Sequence, residues 1–63
     1  MPTAELFKVT LVDQIAEVER EMKLRLQVYP RLIRTKKLTK ERAEWQLSCM
    51  QAVLDTLLDK KHS

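Results

Sequence analysis

Two pairs of carboxylates lie four residues apart, Glu17 with Glu21 and Asp55 with Asp59. On a helix that spacing puts both groups on one face, where they could grip a metal ion or share acid/base work. Neither pair has a His, a Cys or a third carboxylate placed to complete such a site. Both therefore read as solvated helix faces, and no metal ligand is assigned. Cys49 and His62 are each alone of their kind. A nucleophile needs a base and a group to orient that base, and neither residue has them. Cys49 is expected as a small buried or boundary side chain, and His62 as part of a frayed tail. Glycine is absent from all 63 positions, which removes the phosphate-cradling loops and dinucleotide fingerprints that need backbone to approach a ligand closely. No catalytic residue is assigned, no enzyme activity is expected, and neither is a cofactor or a small-molecule substrate.

The chemistry that remains is charge. Residues 20–42 carry nine of the twelve Lys and Arg but two of the nine acids, a net charge of about +7, while residues 1–19 are net negative by three and residues 43–63 by one. Folded as a hairpin, such a chain has a basic turn end and a mildly acidic end where the termini meet. That polarity suits a partner with a negative surface, either an acidic protein or a nucleic acid. Arg31, Arg34, Lys36, Lys37 and Lys40 are the candidate contacts, with Trp45 as an apolar anchor. Arg can hold a carboxylate or phosphate in bidentate fashion, so Arg31 and Arg34 are expected to matter more than the lysines. Tyr29 and Trp45, one near the turn end of each helix, have two readings. They could stack bases among Arg25, Arg31, Arg34 and Arg42, or meet each other and close that end of the core.

The elements that would position these groups are helices. Leu11, Ile15, Val18, Met22, Leu26 and Tyr29 recur every three or four residues among charged neighbours, the pattern of an amphipathic helix. Thr10 and Asp13 form a capping-box pair at its start. Glu19 with Lys23, and Glu21 with Arg25, are helix-supporting pairs with the acid first. Pro30 stops or kinks this helix. Thr39 is a good N-cap for a second helix, whose stripe is Ala43, Leu47, Met50, Val53, Leu54, Leu57 and Leu58, flanked by Trp45 and Cys49. Lys60, Lys61 and His62 suit the negative end of its dipole.

The expected architecture is all-α, one domain spanning residues 1–63: an irregular arm over 1–9, a helix over about 10–34 with a break or kink at Pro30, a turn over 35–38 and a helix over about 39–61. Joined by so short a turn, the two helices should pack antiparallel. Leu11, Ile15, Val18, Met22, Leu47, Met50, Leu54 and Leu57 are expected to supply the core and the dimer contacts. A chain this short gains little from burial, and 44% of it is apolar, so a homodimer forming a four-helix bundle is expected. A single Cys permits no internal disulfide, no apolar run reaches the length of a membrane span, and the start lacks a signal-peptide layout. The expected address is the cytoplasm.

The run Val28-Tyr29-Pro30-Arg31-Leu32, then Lys37-Leu38-Thr39, then Ala43-Glu44, Gln46-Leu47 and Met50-Gln51-Ala52-Val53 resembles a family of short, uncharacterised helical proteins encoded in tailed-bacteriophage and prophage genomes. The resemblance covers about residues 11–58. It implies a phage setting, hence a bacterial host's cytoplasm, and a two-helix shape, without a chemistry. Lys36 stands where the relatives carry Gly, so the turn either differs here or is strained. Trp45 departs as well, from a polar residue.

One other order of elements deserves weighing. Leu6 to Val12 as a strand, followed by two helices, matches a ribbon-helix-helix repressor, with Lys8 and Thr10 facing DNA bases. Against it stand a long second helix, a turn without Gly and basic charge away from the ribbon.

Overall fold

The computed structural model describes residues 8–63: two helices packed against each other, α1 (Leu11–Arg34, 24 residues) and α2 (Lys40–His62, 23 residues). Among the described residues there is no strand. Leu11 and Val12 belong to α1, and Thr10 is extended only as its cap. The ribbon of a ribbon-helix-helix dimer thus has no counterpart at Lys8 to Val12, and the rest of that segment, with most of the expected N-terminal arm, lies outside the described residues.

Both helix starts are fixed by threonine. The Thr10 backbone N–H donates to Asp13 Oδ2 at 3.0 Å, and the Asp13 N–H donates to Thr10 Oγ1 at 3.1 Å, so two otherwise orphaned donors are satisfied reciprocally. Thr39 Oγ1 accepts from the Arg42 N–H at 3.1 Å. The first cap carries a pH dependence. The bond from the Thr10 N–H holds the Asp13 carboxyl below its ordinary value, and Arg20 does the same for Glu17. A carboxyl with a lowered folded-state pKa stabilises above its unfolded value and loses that contribution as pH falls through the folded one. Thermal melts are expected to shift down from pH 6 to pH 3, and Asp13→Asn is expected to reduce the shift. Equal pH sensitivity in the variant would remove the cap as its source.

Pro30 is exposed and sits inside α1, which runs on to Arg34. Its missing N–H leaves the Leu26 carbonyl without an intrahelical donor. The helix ends in a Schellman turn: Lys36 N–H donates to the Ile33 carbonyl at 3.1 Å and Lys37 N–H to the Leu32 carbonyl at 2.9 Å. Lys36 is the left-handed residue, with φ of 62°. Lys there incurs a steric cost of about 1–2 kcal/mol that Gly avoids, partly offset by the greater freedom of Gly in the unfolded chain. Lys36→Gly is therefore expected to stabilise by about 0.5–1 kcal/mol, raising the melting temperature by a few degrees. An unchanged or lower midpoint would show the turn unstrained.

Four side chains are buried among the described residues: Ile15, Tyr29, Ala43 and Leu54. Leu11, Val18, Met22, Leu47, Met50 and Leu57 are half-buried along the same seam. The Tyr29 hydroxyl donates to Gln46 Oε1 at 2.9 Å and sets the antiparallel register. Counting outward equally from that bond brings Met22 level with Val53 and Val18 level with Leu57. Leu26 and Val53 depart from the sequence expectation, standing 55% and 46% exposed. Each is rotated off the contact line, because α1 meets α2 along Ile15, Met22 and Tyr29. Leu26 precedes Tyr29 by three residues, about 60° round the helix. No helix among the described residues is long and apolar enough to cross a membrane.

Candidate functional site

Of the residues expected to contact a partner, Arg31, Arg34, Lys36, Lys37, Lys40 and Trp45 are all exposed. Two ion pairs occur among the described residues, Glu17 with Arg20 at 2.7 Å and Glu21 with Arg25 at 3.0 Å, so none of these five cations is neutralised by them. The fold does not gather all six on one face. Trp45 and Lys40 are five positions apart on α2, about 140° round the helix, and they line different depressions.

Trp45 lies beside a cleft of about 400 Å³ lined by Arg25, Tyr29, Gln46, Cys49 and Met50. Its ring stays 57% exposed, and the Arg42 guanidinium carbon stands 4.8 Å above the ring centroid. At that distance the cation is attracted by the ring's quadrupole. Arg25 adds a second cation on the cleft wall, held further in its charged form by the bond to Glu21 and then by the Tyr29 oxygen. Tyr29 is structural here, since its ring is 7% exposed and its hydroxyl is committed to Gln46. It closes the core without Trp45, whose position, two residues after buried Ala43, turns it outward by about 200°. Cys49 is exposed on the cleft; it is not a buried or boundary residue, because it precedes seam residue Met50 by one position and is rotated off the contact line.

Arg25 and Arg42, which the sequence offers only as phosphate-holding companions of a base-stacking platform, stand here on the cleft wall and over the Trp45 ring. The spacing of Arg42 to Trp45, three residues on a helix, was the available signal. On the other side of the seam Lys40 lines a smaller groove of about 220 Å³ with Leu26, Pro30, Ile33, Glu44 and Leu47. Among the described residues no three His, Cys, Asp or Glu side chains converge into a metal-binding group. Comparison with protein families, with curated proteins and with solved structures returns no match.

Proposed function

We propose that this hairpin is a non-catalytic interaction module of phage or prophage type, working in a bacterial cytoplasm as a homodimer that binds an acidic protein through its basic turn end. The phage setting rests on the residue pattern within 11–58. The reading of the site rests on one observation: an exposed Trp with an Arg over its ring, beside a mainly apolar cleft near the turn, where Arg31, Arg34, Lys36 and Lys37 make no ion pair among the described residues. Trp, Tyr, Arg and Met are the residues enriched at the cores of protein interfaces. A large apolar side chain of the partner would fill the cleft while its carboxylates meet Arg25, Arg31, Arg34, Lys36 and Lys37.

Nucleic acid is the second reading, because the same exposed ring could stack a base while the arginines hold phosphates. Trp45 is the single tryptophan of the chain, so its emission reports on this surface directly. Titration with an Asp/Glu-rich amphipathic peptide carrying leucine is expected to shift that emission at both 50 and 150 mM salt. Oligonucleotides of DNA or RNA are expected to lose what binding they have over that range, since affinity falls with a power of salt close to the number of phosphates contacted. Micromolar oligonucleotide binding at 150 mM salt, with no response to the peptide, would reverse the order of the two readings.

A further inference from the structure

Beside the seam, α1 carries a second stripe. Val12, Ala16, Glu19, Lys23, Leu26 and Pro30 follow one another at alternating intervals of four and three, and all are exposed. Val12, Glu19 and Leu26 each precede a seam residue by three positions, and Ala16, Lys23 and Pro30 each follow one by one, so the stripe is centred about 80° round from the contact with α2. This is the spacing by which helices pack along a shared seam. Among the described residues nothing covers it. Leu26 and Val12 are 55% and 58% exposed, and Glu19 and Lys23 make no ion pair among the described residues although their i, i+4 spacing allows one.

We propose that this stripe docks on the same stripe of a second copy, antiparallel, with a two-fold axis beside residue 21. The arrangement rests on the reading above that the hairpin forms a homodimer, and it names the face and the direction. Centred there, Glu19 faces the partner's Lys23 and Lys23 the partner's Glu19, giving two reciprocal ion pairs. Ala16 faces the partner's Leu26, small against large, and Val12 faces the partner's Pro30. The groove of Leu26, Pro30, Ile33, Ala43 and Leu47 receives the first turn of the partner's α1. In a parallel pairing Glu19 would face Glu19 and Lys23 would face Lys23, and like charges in contact are repelled. The whole-molecule polarity favours the same direction, because the acidic start of α1, with Asp13, Glu17 and Glu19, then lies along the basic half of its partner. Because the stripe flanks the seam, the same two-fold brings the two α2 helices side by side and closes a four-helix bundle. Trp45 remains outside, so the dimer presents two clefts.

Charge exchange tests the direction. Glu19→Lys and Lys23→Glu are each expected to raise the dimer dissociation constant at least tenfold by sedimentation, and the double exchange is expected to restore it. A covalent test is independent of charge. In a Cys49→Ser background, Ala16→Cys with Leu26→Cys is expected to give a disulfide-linked dimer on oxidation, while either cysteine alone does not. The two positions are ten residues apart on one helix, about 15 Å, too far to bridge within a chain. A wild-type chain that stays monomeric at 100 μM would overturn both the pairing and this geometry. A dimer indifferent to the charge exchanges and resistant to the double-cysteine link would overturn the geometry and leave the pairing standing. Circular dichroism of each variant guards the result, since all the sites are exposed and helicity is expected to hold.

Discussion

Leu54→Ala is expected to remove about half of the stability of the fold and to lower its thermal midpoint by about 8–16 °C. Leu54 is one of four buried side chains among the described residues, at 9% exposure, and the register set by Tyr29 and Gln46 places it against Met22 and Val18. Truncating a buried Leu costs about 2–5 kcal/mol. The seam is only partly closed to water, so the low end of that range applies. A domain of this size holds about 3–5 kcal/mol in total, and each kcal/mol moves the midpoint by about 4–8 °C. Urea and thermal melts followed by circular dichroism measure the loss, at matched concentration because pairing adds to apparent stability. Leu24→Ala is the control, since Leu24 is 42% exposed on the far side of α1 and should change stability by no more than about 0.5 kcal/mol. Equal losses at the two positions would mean that the seam does not run through Leu54.

Trp45→Ala is expected to weaken binding of the acidic peptide by about 2 kcal/mol or more, roughly thirty-fold, the loss characteristic of an aromatic anchor at an interface centre. It should do so without harming the fold, because the ring is more than half exposed and touches Arg42 rather than the seam. Lys36→Ala with Lys37→Ala should act differently. Exposed rim charges mainly set the association rate and its salt dependence, so this pair is expected to slow binding while dissociation changes little. Surface-plasmon kinetics with the acidic peptide separates the two effects. If the lysine pair costs more affinity than Trp45, the contact is electrostatic and the cleft is incidental to it.

The all-helical hairpin was legible in residues 8–63 because its signals are local. Thr10, Asp13 and Thr39 mark helix starts by hydrogen bonds to residues three positions away, and three-and-four spacing marks the helices themselves. Which face of α1 meets α2 was less legible. Ile15, Met22 and Tyr29 form one seven-residue series and Val12, Leu26 and Ile33 another, and the run from Met22 through Leu26 to Tyr29 fits either. The choice is made by tertiary facts: Ala43 is small enough to let the helices approach, and the Tyr29–Gln46 bond pins the register. On α2, Trp45, Cys49, Ala52 and Val53 form a second apolar stripe opposite Ala43, Leu47, Met50, Leu54 and Leu57, so periodicity alone offered two faces and did not say which of them turns outward. The segregation of charge needed only composition, whereas the meeting of Arg42 and Trp45 needed attention to helix spacing.

The turn from Thr35 to Thr39 also orders events in time. Contacts near it close the shortest loops, and loop closure grows more demanding as the enclosed chain lengthens. Tyr29, Ala43 and Gln46 are therefore expected to engage first, with the seam closing from there toward Val18 and Leu57. In reverse, opening begins where the termini meet and reaches the turn last, since local stability follows burial and neighbouring contacts. The end that carries Trp45 and the basic turn is the part of the hairpin expected to persist longest, so a chain already fraying at its termini would still present the surface proposed to bind a partner.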